Sequence, residues 1–336
     1  MWPTHRVLIV GVGSIGERHL RCFQQTGRCE ISFAEVNEPL RQTIADRYGV
    51  RGFASLDEAV SQRPSVAVVC TPAHLHVPMA TQLADAGIHL LIEKPLSTGL
   101  DGIEQLRETI ERRRIACSVA YVYRAHPVLT AMREAILSGR FGRPLQLIAV
   151  SGQHFPTYRP AYREIYYKDR ATGGGAIQDA LTHVINASEW LIGPVTRLVA
   201  DAAHQRLEGV SVEDTVHLLA RHGDVLASYS INQHQAANEN TITVVCDSGT
   251  VRFEGHECRW RWLTTPGESW HDEPHPPLER DAMFIAQANQ FLDAVEGKRP
   301  VACSLDEGLQ TLRVNLAALA SADGGGWQNI TSSNRG

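Results

Sequence analysis

A short apolar run that leads directly into a glycine-rich turn constrains this chain more than any other feature. Residues 7–10 read VLIV, and Gly11, Gly13 and Gly16 follow in the spacing G-x-G-x-x-G. A continuous apolar run is typical of a buried parallel strand. The glycines permit a tight turn, close approach of the backbone to a pyrophosphate and close packing of a helix on the strand. Together they predict a dinucleotide site at the start of the chain.

The acid that ends the next strand indicates which dinucleotide is bound. Glu35 follows Gly16 by nineteen residues, where a carboxylate can accept hydrogen bonds from ribose hydroxyls of NAD and repel the 2′-phosphate of NADP. NAD is therefore predicted; NADP is left open because Arg41 lies in the next helix, and Glu35 could also be a solvated carboxylate. A helix that begins near Ser14 points its free N–H groups at the phosphates. The cofactor contacts expected from this turn are Gly11, Gly13, Ser14, Ile15 and Gly16.

The composition is typical of a soluble globular protein. The chain has 336 residues, enough for two domains, with 43% hydrophobic and 21% charged residues and a net charge of −5. It contains no basic run and no long apolar span, so neither nucleic acid nor a membrane is an expected partner. Seven scattered cysteines without a C-x-x-C pair favour reduced thiols and a cytoplasmic location, and residues 1–6 are too short a segment for a signal peptide.

Strands and helices alternate over the first part of the chain. The predicted strands are 6–10, 30–35, 50–53, 66–70, 88–92 and 115–120, with helical patterns between them. This alternation predicts an α/β Rossmann domain with a parallel sheet over residues 1–120. A cofactor then lies across the carboxyl ends of the strands, so residues that directly follow each strand are expected to approach it.

After residue 120 the pattern changes to consecutive strands. Helices are predicted at 128–138 and 176–192, and strands at 145–150, 195–204, 212–221, 225–232, 240–247, 249–254 and 258–264. Short turns between consecutive strands predict an α+β domain over 121–336 with a large, open, mainly antiparallel sheet. Its second face must be covered by helices or by another subunit. Helices at 280–296 and 305–321 close the chain, and the last is a candidate to pack back on the Rossmann domain.

Two segments that follow predicted strands carry candidate chemistry. Lys94 ends the fifth strand between Glu93 and a proline, where its amine can reach the nicotinamide ribose and a substrate hydroxyl and can transfer a proton. The alternative is a surface lysine that forms an ion pair with Glu93. A second segment follows the fourth strand and is expected to line the nicotinamide or the pyrophosphate. The cofactor contacts expected from both segments are Thr71, Pro72, His76, Glu93, Lys94 and Pro95.

Three consecutive glycines precede a second candidate group. Residues 173–175 let the backbone pass close to a ligand or another segment, and a helix is expected to begin just after them. Asp179 and His183 are four residues apart and therefore share one helix face, where the imidazole can act as general base beside the carboxylate. The alternative is a first-turn acid and an unrelated histidine. A metal site is disfavoured because no third ligand lies at local spacing.

An aromatic and basic stretch precedes these glycines. Residues 158–170 contain four tyrosines and four arginines or lysines among their side chains, and aromatic faces stack on sugar rings while guanidinium groups bind carboxylates or phosphates. The alternative is an ordinary loop whose tyrosines pack on the sheet. The candidate substrate contacts from this stretch are Tyr158, Arg163 and Tyr166.

These motifs together resemble the Gfo/Idh/MocA family of sugar dehydrogenases, which includes glucose–fructose oxidoreductase and inositol dehydrogenase. The resemblance covers nearly the whole chain, and six motifs in one order make it specific. They are GVGSIGERH at 11–19, TPAHLH at 71–76, EKP at 93–95, YRAHP at 123–127, GGGAIQDALTH at 173–183 and SLDEGLQTL at 304–312.

The resemblance implies a Rossmann domain, a domain with a large open sheet, and a catalytic group of Lys94, Asp179 and His183 beside the nicotinamide. It also implies a homodimer or homotetramer formed through the open sheet. Arg124, in a segment that packs near the domain junction, joins the candidate substrate contacts. Ala180 stands where family members often carry glycine, which leaves the local backbone shape open.

The sequence therefore predicts an NAD(P)-dependent oxidoreductase. It would move hydride between the nicotinamide and a secondary alcohol or ketone of a sugar, cyclic polyol or sugar derivative. Two alternatives are an NAD-dependent glycosidase that oxidises its substrate transiently and a non-catalytic dinucleotide sensor. The intact lysine, aspartate and histidine argue against the sensor.

Overall fold

Residues 5–331 are described by a computed structural model and divide into two compact units. Residues 5–125 together with Glu279–Gly308 form the first unit, and His126–Leu278 together with 309–331 form the second. The sequence prediction placed the segment 279–308 in the second domain, whereas its contacts lie in the first unit. Residues 1–4 and 332–336, the outer limits of the predicted domains, lie outside the described residues.

A parallel sheet forms the centre of the first unit. Its order is β3-β2-β1-β4-β5-β6, and every neighbouring pair is parallel. The strand order reverses between β1 and β4, the switch point at which doubly wound sheets bind ligands. All six predicted strands are confirmed, with ends that differ by at most two residues. They are β1 (His5–Val10), β2 (Cys29–Ala34), β3 (Arg51–Phe53), β4 (Val66–Val69), β5 (His89–Ile92) and β6 (Cys117–Val119).

Helices connect these strands, as the alternating pattern predicts. Leu20 and Phe23 of the first helix are fully buried in the same cluster as Val7 and Ile9 of β1, so an apolar helix face covers the sheet. The helices are α1 (Ser14–Gln25), α2 (Glu38–Tyr48), α3 (Leu56–Ser61), α4 (His76–Asp85) and α5 (Ile103–Arg113).

The second unit contains a nine-stranded sheet in the order β14-β13-β12-β11-β7-β10-β9-β8-β15. The β7–β10 pair is parallel and the other pairs are antiparallel, which confirms the mainly antiparallel prediction. The strands are β7 (Pro144–Gly152), β8 (Arg197–Ala203), β9 (Thr215–His222), β10 (Val225–Asn232), β11 (Glu239–Cys246), β12 (Gly249–Glu254), β13 (Arg259–Leu263), β14 (His271–Pro274) and β15 (Gln328–Asn329).

Helices cover one face of this large sheet. They are α6 (Pro127–Leu137), α7 (Phe155–Tyr158) and α8 (Thr182–Ile192). Helix α6 packs on β12 and β13, and α8 packs on β7. The stretch predicted as a loop around residues 151–172 instead forms α7 and three short 3₁₀ turns, because Phe155, Tyr162 and Tyr167 are buried together in one aromatic cluster.

Two further helices lie near the end of the chain. Helix α9 (Ala282–Val295) buries Ala288, Phe291 and Leu292 in the core of the first unit. Helix α10 (Leu305–Gly324) crosses the division, since residues 305–308 belong to the first unit and 309–324 to the second. Within the second unit, Thr311 and Asn315 of α10 hydrogen-bond to Asn186 and Thr182 of α8.

Two further features concern the helices and the cysteines. None of the helices between residues 5 and 331 combines the length and the apolar character needed to cross a bilayer. All seven cysteines lie within this range, and none of them forms a disulfide.

A buried carboxylate fastens α9 to the sheet of the first unit. Glu296, just after α9, lies 2.9 Å from His5 Nε2 on β1 and accepts a 2.8 Å hydrogen bond from Arg28. Burial opposes ionisation, but the hydrogen bonds from His5, Lys298 and Arg28 outweigh it and lower the pKa of Glu296 from 4.5 to about 2. A carboxyl pKa that is lower in the folded state stabilises the fold above the unfolded value and loses this effect as the pH falls toward 2.

We predict that Glu296→Gln lowers the free energy of unfolding at pH 7 by about 1.5–3 kcal/mol, the range for hydrogen bonds to a charged group. The difference from wild type should shrink below pH 4.5, because the wild-type carboxyl is then progressively protonated on unfolding. Urea denaturation at pH 7 and pH 3.5 measures both values. Glu30→Gln, at an exposed position on β2, is the control, and a constant difference at both pH values would contradict the assignment.

Candidate active site

The glycine-rich turn packs α1 directly against the end of β1. A Cβ at residue 16 would lie 1.9 Å from the Gly11 carbonyl oxygen, and Gly11 itself has a φ of +82°. Both positions therefore require glycine. Gly13 differs, because a Cβ there would meet no atom within 4 Å. The space beside Gly13 opens at the N-terminus of α1, where the first N–H groups have no acceptor within the helix.

Glu35 connects the glycine-rich turn to the second strand. Its Oε2 accepts a 3.1 Å hydrogen bond from the Val12 N–H, and its Oε1 accepts a 2.9 Å bond from the Asn37 N–H. The carboxylate therefore stands beside the turn, as the sequence predicts. Arg41 donates to the main-chain carbonyl of Glu35 at 2.7 Å, so its guanidinium group is bound to the backbone there.

Thr71 lies on the other side of the glycine-rich turn. Its Cγ2 would be 3.2 Å from a Cβ on Gly11, and its Oγ1 is buried without a hydrogen-bond partner among residues 5–331. His76 Nε2 is 2.7 Å from the Thr71 carbonyl, and its Nδ1 is 2.9 Å from the Pro95 carbonyl. His76 is 1% exposed, so it joins the two loops, and the cofactor contacts predicted for His76 and Pro72 stay predictions.

Lys94 stands at the carboxyl end of β5, partly exposed, before a cis peptide bond to Pro95. Glu93 points inward and is 4% exposed. Its Oε1 lies 2.7 Å from His19 Nε2 on α1, and its Oε2 accepts a 3.0 Å hydrogen bond from the Lys94 N–H. Both oxygens of the Glu93 carboxylate already form hydrogen bonds to groups of the first unit. Contact between Glu93 and a cofactor stays a prediction.

In the second unit, the three glycines allow two close approaches. A Cβ at Gly174 would lie 2.1 Å from the Tyr167 carbonyl oxygen, and one at Gly175 would lie 2.4 Å from Glu213 Oε1. Glu213 is 2% exposed and accepts hydrogen bonds from the Ile177 N–H at 3.2 Å and from Arg170 at 2.8 Å. This buried carboxylate thus binds the start of the helix that carries Asp179.

Asp179 is a buried carboxylate with two identified side-chain partners. It is 2% exposed, accepts a 2.6 Å hydrogen bond from the Tyr166 hydroxyl and lies 3.4 Å from the Arg159 guanidinium. The backbone around it forms a π-helical turn, Ile177–Leu181, which leads into α8. π-Helical turns are frequent at functional sites. His183 follows in the first turn of α8 and is partly exposed.

The remaining predicted substrate residues have different surroundings. Arg124 is 5% exposed and binds Glu307 at 2.5 Å and the Ala302 carbonyl at 2.9 Å, all within the first unit. Tyr158 is 54% exposed, and Arg163 donates to the Tyr162 hydroxyl at 3.0 Å. Only Tyr166 is brought to Asp179, and substrate contact by all four residues stays a prediction.

Three residues that shape these sites were not among the residues predicted from the sequence. Arg159 reaches Asp179, Glu213 binds the helix start and His19 binds Glu93. Arg159 lies in the basic stretch at 158–170 and His19 ends the GVGSIGERH motif, but neither pattern indicates the partner of its residue. Glu213 has no local signal. The partners of Glu213 and His19 are 36 and 74 residues away. Among residues 5–331, no group of three or more His, Cys, Asp or Glu side chains is arranged to hold a metal ion.

The edge of the first sheet fits a dinucleotide. The opening beside Gly13, the N-terminus of α1 and the orphaned Thr71 hydroxyl provide space and donors for phosphates. The carboxylate of Glu35, fixed by two backbone N–H groups, supplies acceptors for ribose hydroxyls.

Comparison with known proteins agrees with this architecture. Residues 5–121 match an oxidoreductase family described by an NAD-binding Rossmann fold, and residues 129–252 match the GFO/IDH/MocA C-terminal domain. The chain is 24% identical to UDP-N-acetylglucosamine 3-dehydrogenase of Acidithiobacillus ferrooxidans, over 94% of this chain and 95% of that protein. It is 22% identical to inositol 2-dehydrogenase of Rhizobium meliloti, over 95% and 97%. The solved structure of levoglucosan dehydrogenase with NADH and levoglucosan matches with a TM-score of 0.88 and 20% identity, covering 98% of this chain and 100% of that one.

We predict that Gly13→Ala weakens NAD binding at least tenfold and changes the free energy of unfolding by less than about 1 kcal/mol. The new methyl group meets no protein atom, and residue 13 has an extended backbone that alanine adopts freely, so the change acts on the space for the phosphates. Titration of intrinsic fluorescence with NAD, together with urea denaturation, measures both quantities.

Two further variants serve as controls. Gly16→Ala should destabilise the fold by about 2 kcal/mol or more because its methyl group overlaps the Gly11 carbonyl. Gly324→Ala, at an equally open position at the end of α10, should change neither quantity. Wild-type NAD affinity in Gly13→Ala would exclude the glycine-rich turn as the phosphate site.

Proposed function

Because the chain belongs to the GFO/IDH/MocA oxidoreductase family, we propose that it is an NAD-dependent dehydrogenase that acts on a secondary alcohol of a sugar, cyclic polyol or sugar derivative, or on the corresponding ketone. The observation that carries the proposal is the buried carboxylate of Asp179, held by Tyr166 and Arg159 on the same helical segment as His183. A buried, oriented carboxylate, four residues before a partly exposed imidazole on one helical segment, suits proton transfer to or from a hydroxyl.

The residues that would hold the cofactor are those of the first unit. The N–H groups at the start of α1, with the opening beside Gly13, would take the pyrophosphate, and Glu35 would take the adenosine ribose hydroxyls. The two N–H groups that fix Glu35 keep its carboxylate at the turn. A 2′-phosphate would face this negative charge, which favours NAD over NADP. When bound, the nicotinamide supplies the hydride acceptor or donor.

The chain's own side chains would handle the proton and the position of the substrate. In the oxidative direction, His183 takes the hydroxyl proton, and Lys94 polarises the oxygen and shares in the proton transfer. Asp179 orients the substrate or His183, and Tyr166 keeps that carboxylate in place. Lys94 lies in the first unit and the other three lie in the second, so their convergence on one substrate is part of the proposal. Lys94 and His183 could exchange roles.

The substrate class follows from the type of chemistry and from the relatives. The relatives named above are dehydrogenases for a nucleotide sugar, an inositol and an anhydrosugar, and each of these ligands presents a ring with secondary hydroxyls. We therefore propose a cyclic polyhydroxylated substrate. A panel of sugars, inositols, anhydrosugars, uronic acids and nucleotide sugars with NAD or NADP, followed by absorbance of the reduced nicotinamide, identifies it.

We predict that Lys94→Ala and His183→Ala each lower turnover of the substrate found in this panel about a hundredfold or more, while NAD still binds. Each variant removes a group that acts on the hydroxyl proton, and the phosphate turn is untouched. Initial rates and NAD titration check the two expectations. Normal turnover in both variants would exclude the proposed site, and sugar release from a glycoside without net reduced nicotinamide would indicate glycosidase chemistry.

The proposed assembly is a cytoplasmic homodimer or homotetramer formed through the large sheet. One row of paired residues crosses the sheet on its outer face, and its members are Val199, Leu219, Ser228, Ile148, Thr243, Arg252, Arg261 and Asp272. The row is apolar or small over β8–β7 and charged over β12–β14. Leu219 is 54% and Ile148 is 37% exposed, and an apolar patch of this kind on a sheet face is typical of a protein interface.

We predict that Ile148→Glu and Leu219→Glu each shift the protein toward the monomer, because a carboxylate would be buried without a partner at the contact between two copies. Light scattering after size-exclusion chromatography over a hundredfold concentration range measures the mass. Leu100→Glu replaces an equally exposed leucine (49%) in the first unit and should leave the mass unchanged. An unchanged oligomer in both sheet variants would exclude this face as the interface.

A further inference from the structure

His19 and Glu93 form a buried pair behind the proposed catalytic lysine. Their side chains are 1% and 6% exposed, and His19 Nε2 lies 2.7 Å from Glu93 Oε1. The Glu93 N–H donates to the Val69 carbonyl at 2.9 Å, so Glu93 continues the ladder between β5 and β4. Its second oxygen accepts the Lys94 N–H at 3.0 Å. One carboxylate therefore joins the helix of the glycine-rich turn to the backbone of Lys94.

The surroundings of His19 define which nitrogen carries the proton. Nδ1 is buried and has no hydrogen-bond partner among residues 5–331. A bare ring nitrogen without a partner costs less free energy than an unpaired N–H, so the proton belongs on Nε2. Nε2–H then donates to Glu93. The ring packs edge-on against Phe284 at 5.5 Å and near Phe23 at 6.4 Å, so aromatic contacts fix its orientation.

Glu93 is a buried carboxylate at the carboxyl end of β5. Burial alone would raise its pKa, but the hydrogen bond from His19, together with the charge and the N–H of Lys94, outweighs burial and lowers the pKa of Glu93 below its usual value. The charge of Glu93 also acts on two neighbouring groups, Cys70 at the end of β4 and His76 on α4. Burial, with the charge of Glu93, raises the pKa of the Cys70 thiol. Burial lowers the pKa of His76, and the charge of Glu93 partly opposes it.

We infer that Glu93 is a positioning residue: held by His19, it fixes the Lys94 backbone and so couples the cofactor-binding helix α1 to the catalytic lysine. The inference rests on the proposed function, since it assigns Glu93 and His19 a role through Lys94 rather than contact with the cofactor. Two hydrogen bonds in series connect α1 to Lys94; the first is buried and the second is partly buried. Loss of His19 leaves a buried carboxylate with one fewer donor, and it must move, take up a proton or draw in water.

The same unit contains a second trio of histidine, glutamate and lysine, which provides a matched control. Glu296 lies 2.9 Å from His5 Nε2 and forms an ion pair with Lys298. His5 begins β1, so this trio lies at the amino end of the parallel strands, opposite to the edge that carries Lys94. Breaking it should disturb the fold to a similar extent without affecting the proposed site.

The chain has only three lysines, at positions 94, 168 and 298, so each lysine can be observed directly. Reductive methylation with ¹³C-formaldehyde labels the amines, and NMR of the cofactor-free full chain then gives one set of methyl signals for each of the three lysines, beside that of the α-amino group. We expect His19→Phe to move the Lys94 signal by several line widths and to leave those of Lys168 and Lys298 in place. His5→Phe should do the reverse, moving the Lys298 signal and not that of Lys94.

Activity gives the second readout. With the substrate from the panel, His19→Phe should lower kcat at least tenfold while NAD affinity stays within about threefold. The acidic limb of the kcat–pH profile of this variant should move to higher pH, because burial without the His19 donor raises the pKa of Glu93. His19→Gln, whose amide N–H can still donate to Glu93, should restore kcat to within about threefold of wild type. His5→Phe should leave kcat and the pH profile unchanged.

The outcomes separate this inference from the proposed function. If Lys94→Ala retains normal turnover, the proposed function fails whatever His19 does. If Lys94→Ala is inactive but His19→Phe leaves the Lys94 signal, kcat and pH profile unchanged, only the positioning role fails. A lower kcat in His19→Phe that His19→Gln does not restore, with no movement of the acidic limb, would also overturn it. If His19→Phe does not fold, His19→Gln and Glu93→Gln are compared by the same NMR signals, and an unchanged Lys94 signal in Glu93→Gln overturns the role.

Discussion

The cofactor site of the first unit depends on the close approach of helix α1, at Gly16, to the Gly11 carbonyl at the end of β1. Helix α1 can lie against the end of β1 only because residue 16 has no Cβ, which would otherwise sit 1.9 Å from the Gly11 carbonyl oxygen. This contact places the start of α1 beside Glu35 and Thr71 at the switch point of the sheet. The donors for phosphates and the acceptors for ribose hydroxyls therefore depend on one missing side chain.

In the second unit, glycines again allow a close approach, here around the helix that carries Asp179. Gly174 and Gly175 allow the Tyr167 backbone and the buried carboxylate of Glu213 to approach the start of the helix that carries Asp179. That approach, and the π-helical turn that follows, leave Asp179 buried against the Tyr166 hydroxyl. In both units a run of glycines marks a place where buried acceptors or donors fix a helix start, and the candidate chemistry lies directly after it.

Much of the fold was predictable because its signals are local. Most strands of the parallel sheet follow from short apolar runs, and the antiparallel strands follow from alternation and turns. The strands that sequence reasoning missed, β14 and β15, are a four-residue exposed segment and a two-residue pair at the sheet edges, and only their neighbours define them. The supposed loop at 151–172 became ordered turns because three aromatic residues far from a regular period pack together.

By itself, the sequence determined the order of the elements, the glycine positions and the identities of Lys94, Asp179 and His183, because spacing along the chain encodes turns, periods and strand ends. It could not determine which side chains hold those residues in place. His19 binds Glu93, which lies 74 residues away, and Glu213 binds the Ile177 N–H, 36 residues away. Arg124 binds Glu307, 183 residues away. Only the tertiary structure decides such pairs, because burial and hydrogen-bond geometry depend on segments that meet after the sheets have formed.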